Sequence, residues 1–196
     1  MKRIMFNDKY GLTDAVLKGR KTMKRRLINP DYEMVSCLNV NYEDHWHGEL
    51  NGEIFDIIPI YEIGEIAAVA QRYRDIADDK FFINEIAADE HCGVNAMKYD
   101  AGWDNKMFVK AAYMPHHIRI TEIKVQRLQD ISDEDCLKEG ITKWERGLDL
   151  YYYCKEKFSD FNTPREAFAA LIDKVSGNGT WERNPWVFAY SFKLID

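Results

Sequence analysis

Apolar residues at helical spacing predict one clear helix over residues 164–175 of this chain. Thr163 precedes the helix as a cap, Pro164 takes its first position, and Glu166 completes a capping box. The apolar face of this helix consists of Ala167, Phe168, Leu171, Ile172 and Val175. A shorter helix is predicted over residues 10–18.

Runs of apolar and β-branched residues predict strands that outnumber the helices. The predicted strands cover residues 2–6, 54–60, 66–70, a pair within 107–127, and 186–194. No strand–helix–strand rhythm is present, so the pattern predicts an α+β fold. We expect a small β-barrel, or a comparable α+β domain, with short peripheral helices.

A length of 196 residues is typical of one domain with insertions, and we predict a single domain over residues 1–196. Three stretches without a clear period are interpreted as insertions: about 29–60, 75–105 and 142–160. The first is expected to be largely irregular, and the second to contain a helical piece near 79–89.

The composition, with 46% apolar and 31% charged residues, predicts a soluble protein with a substantial core. No run of eighteen apolar residues is present, and the N-terminus lacks the apolar segment of a secretory signal. The cysteines are widely spaced, which predicts reduced thiols: Cys37, Cys92, Cys136 and Cys154. We therefore expect a cytoplasmic protein that does not cross a membrane.

Positive charge is concentrated in residues 18–26, where six of nine residues are Lys or Arg. Residues 1–26 carry nine Lys and Arg against two Asp, although the whole chain has a net charge of -6. This concentration favours an anionic partner, and nucleic acid is the commonest large anion for a small soluble protein. The alternative is a solvated surface, which is the usual case for charge runs.

The spacing within this basic segment argues partly against a solvated surface. Gly19 suits the end of a helix, and the residues after it alternate as they would on a strand. Two sets then face opposite ways, namely Lys21, Met23 and Arg25 against Thr22, Lys24 and Arg26. One set of basic groups points inward, where a buried cation needs a partner or a ligand.

Glu139 is the second candidate for a functional residue. Ser132 and Asp135 form a capping box that opens a short helix, and Gly140 closes it. Glu139 therefore lies in the last turn, where the helix dipole disfavours a carboxylate. A partner in Lys21 would explain this, because a lysine beside a carboxylate can act as a fixed cation or a general base. An exposed glutamate without a role is an equally good interpretation.

Trp181 and Arg183 lie together in a Gly- and Asn-rich stretch before the last strand. An aromatic ring with an arginine is a combination that stacks on nucleic-acid bases. Aromatic residues beside strands are nevertheless more often part of the core.

The sequence predicts neither a metal site nor a cofactor. His45 and His47 could chelate on a strand with Cys37 nearby, but no second ligand pair follows at a recognisable spacing. No P-loop, dinucleotide-binding or nucleophile-elbow motif occurs either.

Four ordered blocks of the chain resemble the ASCH domain family, within the PUA-like superfold, and phage or prophage members in particular. The first block is similar to the family's GxKTxTxR signature. The blocks are LKGRKTMKRRL, IYEIGEIAAVAQRY, HHIRITEIKVQRLQDISDEDCLKEGI and LIDKVSGNGTWERNPWVFAYSFKL.

The resemblance implies a small PUA-like β-barrel whose cleft is lined by the basic segment and binds RNA or a nucleotide. Some small members remove acyl groups from acylated cytidine with a lysine, a threonine and a glutamate. The lysine matches Lys21 and the glutamate matches Glu139, whereas Lys24 stands at the threonine position. Thr22, on the opposite strand face from Lys21, is a poor substitute. A hydroxyl can act as a nucleophile, but an ammonium only binds or orients an anion.

Three functions follow as hypotheses. The leading one is binding of RNA or a nucleotide in a basic cleft; the residues expected to contact it are Lys21, Lys24, Arg26, Trp181 and Arg183. The second is hydrolysis of acylated nucleosides or of RNA, with Lys21 and Glu139 as catalytic residues. The third is a phage-encoded protein-interaction module, so the sequence leaves open whether the chain is an enzyme.

Overall fold

The structure is a computed structural model of the chain. It describes residues 1–28, 34–40, 43–80, 82–83, 93–144, 150–153 and 160–196. The predicted helical piece near 79–89 lies largely outside these residues.

The strands are β1 (Lys2–Ile4), β2 (Met23–Leu27), β3 (Met34–Val40), β4 (Glu43–Leu50), β5 (Glu53–Ile57), β6 (Ile66–Val69), β7 (His117–Arg127), β8 (Thr142–Lys143), β9 (Tyr151–Tyr152) and β10 (Trp186–Leu194). The helices are α1 (Leu12–Leu17), α2 (Gly93–Met97), α3 (Asp133–Lys138), α4 (Pro164–Ser176) and α5 (Thr180–Arg183). The mixed content confirms the predicted α+β class.

A five-stranded mixed sheet forms the centre of the fold, in the order β1-β6-β7-β10-β2. β1 and β6 are parallel, whereas the other pairs are antiparallel. Residues of β7 and β10 such as Ile118, Ile120, Val187 and Tyr190 are at most 1% exposed, since they lie in the core. The long central pair thus supports β2, the strand that carries the basic segment.

A closed barrel is not formed among the described residues, so the barrel expectation needs correction. The sheet remains open, with β1 and β2 as its edges. The two edges are linked by a side chain instead, because Lys24 Nζ on β2 donates a hydrogen bond to the carbonyl of Met5, directly after β1.

Helix α4 packs its predicted apolar face on the sheet. Ala167, Phe168, Leu171 and Ile172 are at most 7% exposed, whereas Val175 is 42% exposed. The hydroxyl of Thr163 accepts a hydrogen bond from the backbone of Glu166 at 3.1 Å, as the capping pattern predicts. Val175, in the last turn of the helix, therefore lies at the border between core and surface.

The stretch predicted to be largely irregular contains a second, three-stranded sheet in the order β3-β4-β5. The ring of Trp46 on β4 meets Phe188 of the main sheet edge-on, with ring centres 5.6 Å apart. Consecutive polar residues along β4 hide the alternation by which strands are recognised.

The prediction of two strands within 107–127 is wrong for the first of them. β7 is present, but residues 111–113 form a 3-10 turn. This segment packs as a loop on a second apolar cluster around Tyr73, in which Val109 and Met114 are buried. The backbone N–H of Lys110 donates to the Tyr73 hydroxyl at 2.9 Å, so the ring fixes the loop. Within the described part of the chain, no helix has the length and apolarity needed to span a bilayer.

Candidate functional site

The turn between α1 and β2 positions the basic segment. Gly19 adopts a left-handed conformation with φ of +68°, and the backbone N–H of Lys21 returns to the carbonyl of Ala15 at 2.9 Å. Thr22 then donates its N–H to the carbonyl of Lys138 at 2.8 Å. The turn is therefore tied directly to the end of α3.

The residues of β2 alternate as the sequence predicts. Lys21, Met23 and Arg25 are at most 7% exposed, whereas Lys24 is partly buried and Arg26 is exposed. Two cations of the basic segment consequently lie inside the protein, where each requires a counter-charge or a hydrogen-bond acceptor.

Helix α3 supplies that counter-charge from its C-terminal end. The Ser132 hydroxyl caps the helix by accepting from the Asp135 backbone at 3.1 Å, and Gly140 ends it with φ of +104°. Glu139 sits between these signals and is only 5% exposed. Its unfavourable place in the helix dipole is offset by two cations, which explains the misfit seen in the sequence.

The carboxylate of Glu139 is held by a different cation on each oxygen. Lys21 Nζ lies 2.5 Å from Oε2, and a guanidinium nitrogen of Arg25 lies 3.0 Å from Oε1. Lys21 Nζ also donates to the backbone carbonyl of Glu139 at 2.7 Å. Arg25 reaches Asp135 at 3.4 Å, and Asp135 also pairs with Lys138 at 3.0 Å. These contacts join β2 to one face of α3.

A pocket of about 90 Å³ opens beside this ion pair. Its lining consists of Met5, Phe6, Asn7, Leu12, Lys21, Lys24, Arg25, Glu139, Phe168, Leu171, Ile172, Val175 and Ser176. One water needs roughly 10–15 Å³ of such space, so the pocket holds several waters or one small chemical group. One wall is charged and the opposite wall, from α4, is apolar.

Lys24 differs from the other lining cations because it has no carboxylate partner among the described contacts. Its Nζ donates to the carbonyl of Met5 and lies 5.0 Å from the centre of the Phe6 ring. Burial, followed by the nearby charges of Lys21 and Arg26, lowers the pKa of Lys24 to about 8. Burial also lowers the pKa of Lys21, although Glu139 opposes this effect.

Arg25 retains an unused donor at the pocket. Its Nε is buried and has no hydrogen-bond partner among the described residues. A buried N–H without an acceptor costs free energy. An acceptor atom entering the pocket is one way to relieve that cost.

The remaining predicted contact residues lie elsewhere. Trp181 and Arg183 belong to α5, and neither lines the pocket. Trp181 packs edge-on against Phe168 at 6.1 Å, and Arg183 donates to the carbonyl of Asn178 at 3.2 Å. Arg26 is exposed on β2 and does not line the pocket.

Ten of the thirteen lining residues were not among the predicted site residues, and Phe6, Arg25 and Ser176 are three of them. The sequence does point to Arg25, because it lies on the same face of the predicted strand as Lys21. The carboxylates at 135 and 139 also stand one helical turn apart. Phe6 and Ser176 carry no local signal of this kind.

The described residues contain no group of three or more His, Cys, Asp or Glu able to hold a metal ion. His47 pairs with Asp56 across β4 and β5 at 3.1 Å. Cys136 is buried in the core, and burial raises the pKa of its thiol to about 12, which makes it a poor nucleophile. Cys92 and Cys154 lie outside the described residues.

No protein-family model, curated protein or solved structure matches this chain. The site is therefore interpreted from its own geometry and chemistry.

We predict that Glu139→Gln destabilises the protein strongly. The amide leaves the buried Lys21 without a counter-charge and Arg25 with only its 3.4 Å contact to Asp135, and breaking a buried pair costs about 3–5 kcal/mol. Urea unfolding measures this as a lower midpoint at an unchanged slope. Glu134→Gln, on the exposed side of the same helix, is the matched control and should change the free energy of unfolding by less than about 0.5 kcal/mol. A Glu139→Gln variant as stable as that control would contradict the buried ion pair.

Proposed function

We propose that this protein binds a nucleotide, or a short single-stranded piece of RNA, through the pocket between β2, α3 and α4. The observation that carries this proposal is the convergence of Lys21, Lys24 and Arg25 on one concave site with a single carboxylate. The carboxylate of Glu139 is already bound on both oxygens, so an added acceptor meets positive charge.

The aromatic and apolar wall suits the other half of such a ligand. Phe6 and Phe168 line the pocket on either side of the charged groups, and bases stack favourably on aromatic rings. The volume of about 90 Å³ admits a phosphate or the edge of a base rather than a whole nucleotide. The rest of the ligand would lie along the surface, towards the exposed Arg26.

The charge distribution supports a short ligand. The chain is acidic overall, at -6, whereas its first 26 residues are strongly basic. A long nucleic acid would be repelled by most of the surface, but a few nucleotides would contact only the basic region. The ligand is therefore expected to contact only the basic region of this acidic protein.

The resemblance to the ASCH family agrees with this proposal. It assigns the ligand cleft to the Gly19–Lys21 segment, which lines the pocket through Lys21. We extend the proposal to the fold, in that the open five-stranded sheet is the counterpart of the sheet that forms the family's PUA-like barrel. A cytoplasmic location would give the protein access to RNA.

Hydrolysis of an acylated nucleoside is a second candidate, favoured by the 2.5 Å contact between Lys21 and Glu139 inside the pocket. The missing part is a nucleophile. Thr22 does not line the pocket, whereas the exposed Ser176 at the end of α4 is one of its lining residues. Ser176 therefore takes the nucleophile's place in this candidate mechanism.

For the binding function, we predict that Lys24→Gln combined with Arg26→Gln weakens RNA binding and its salt dependence. Each lost phosphate contact should reduce the slope of log affinity against log salt by about 0.7 for a single strand. Fluorescence anisotropy with a labelled oligoribonucleotide, between 50 and 200 mM salt, measures both quantities. Lys193→Gln changes an exposed lysine near the C-terminal end of β10 that does not line the pocket, and is the control. An unchanged slope in the double variant would refute this assignment of the site.

The affinity for a nucleotide should also fall as the pH rises from about 7 to about 9. The charged form of Lys24 binds the anion, and that form is lost as the pH passes through its pKa of about 8. Isothermal titration calorimetry of a mononucleotide follows the loss. Lys24→Arg keeps its charge throughout this range and should give a flatter profile. Parallel profiles for the two proteins would show that Lys24 does not carry the effect.

For the hydrolase candidate, Ser176→Ala should lower kcat for acetylated cytidine by about 100-fold or more if the serine is the nucleophile. Released acetate is the measured product. Ser191→Ala removes a hydroxyl that bonds Glu122 outside the pocket and should leave kcat unchanged. A wild-type protein that binds nucleotides without releasing acetate would eliminate this candidate and leave the binding function intact.

A further inference from the structure

The surroundings of Lys24 distinguish its amine from an ordinary surface lysine. Four charged groups influence it, namely Lys21 and Arg26 from its own segment, Lys106 from the loop before β7, and Glu139 from the end of α3. Three of the four are cations. The one carboxylate is shared between Lys21 and Arg25 and does not pair with Lys24.

The hydrogen bond of Lys24 does not require a charge. A backbone carbonyl, that of Met5, accepts from Nζ. A neutral amine makes the same bond with one of its two hydrogens and keeps its lone pair. The Phe6 ring lies 5.0 Å from Nζ and shields the amine from water; its face also attracts the charged form, so the lowered pKa comes from burial and from the neighbouring cations.

We propose that Lys24 is a nucleophilic lysine that forms an imine with a small aldehyde or ketone carrying an anionic group. The anionic group would bind at Lys21 and Arg25, and the carbonyl carbon would lie at Nζ of Lys24. Such a compound is available in two forms, as a free oxo acid or as the ring-opened sugar of a nucleotide that has lost its base. The proposal does not depend on the nucleotide-binding function.

The step needs no oxidant or reductant. The lone pair of Nζ attacks the carbonyl carbon, and a C–N bond forms while the carbonyl oxygen takes up a proton to give a carbinolamine. The nitrogen gives up one proton to reach the neutral carbinolamine, the hydroxyl takes up a proton and leaves as water as the C–O bond breaks, and the nitrogen then loses its second proton, so that a neutral C=N bond remains and both amine protons are balanced by those in the water. Lysines next to another cation or in apolar surroundings are activated for this reaction because more of the amine is neutral.

The pKa of about 8 agrees with this geometry. An exposed lysine has a pKa near 10.4, so at about pH 8 a much larger fraction of Lys24 is neutral. The independent geometric support is that Lys24 lines the pocket and that its amine is bonded to a backbone carbonyl rather than to a carboxylate.

Glyoxylate with cyanoborohydride tests the proposal on the wild-type protein. The reductant converts any imine into a stable carboxymethyl amine, and peptide mapping by mass spectrometry gives the rate at each lysine. At about pH 8 we expect Lys24 to react about tenfold faster or more than the exposed Lys193, because burial and the neighbouring cations leave more of the Lys24 amine neutral. The same experiment in urea should abolish the preference. Equal rates at both lysines in the folded protein would overturn the proposal.

Two variants connect the reactivity with the charge cluster. Arg26→Gln removes a nearby cation, so the pKa of Lys24 should rise and the midpoint of its reaction should move to higher pH. Lys18→Arg replaces an exposed lysine and should leave that midpoint where it is. A midpoint that is the same in both variants would exclude the charge cluster as the cause.

A second experiment determines whether the carbonyl compound is a free oxo acid or an abasic nucleic acid. A single-stranded oligodeoxynucleotide with one abasic site replaces glyoxylate, and the trapped complex is detected as a shifted band. Trapping of both probes at Lys24 identifies the shared carbonyl chemistry, and trapping of glyoxylate alone assigns the site to free oxo acids. Trapping of the oligonucleotide alone assigns it to nucleic acid. If neither probe is trapped at Lys24, the proposal is refuted, whereas binding of intact RNA is unaffected.

Discussion

The buried carboxylate of Glu139 determines the arrangement of the residues around it. It lies between Lys21, two residues before β2, and Arg25 on β2, and these two side chains point to the same side of the extended segment. A shift of the β2 register by one residue would bring the opposite set of side chains inward and leave Glu139 without its partners. A buried ion pair adds little net stability compared with apolar packing, but breaking it is costly. Its value here is that it fixes one register for β2.

The same contact explains how the pocket stays charged while its walls are apolar. Glu139 neutralises part of the charge of Lys21 and Arg25, so both can remain buried beside Phe168 and Leu171. Lys24 lies outside this compensation and is left among cations. In the imine chemistry proposed above, the reacting amine belongs to the lining lysine whose charge the ion pair does not balance.

Local signals predicted the long elements well. Helix α4 with its cap at Thr163, the central strand β10 and the strand β6 were recognisable because caps and apolar runs act over a few residues. The inward face of β2 and the Lys21–Glu139 contact were also predictable, since a buried cation and a misplaced carboxylate each require a partner.

The structural features that the sequence did not predict are those that depend on long-range packing. The three-stranded sheet of β3, β4 and β5 has polar residues where alternation would be expected, and the loop over residues 106–114 takes its shape from Tyr73. The open edges of the main sheet could not be read from the chain either. A side-chain hydrogen bond from Lys24 to the carbonyl of Met5 joins the two edge segments, and no local pattern encodes such a contact.

The hydrogen bonds that the Glu139 carboxylate already accepts also limit the chemistry of the site. Both carboxylate oxygens accept hydrogen bonds from cations, so removing a proton from a substrate would require Lys21 or Arg25 to give up its partner. A carboxylate in this state serves better to hold cations in place than to act as a base. The groups left to meet a ligand are the Nε of Arg25, the amine of Lys24 and the aromatic wall. These are donors, one nucleophile and an apolar surface, and they suit an acceptor-rich ligand whose inserted part is small.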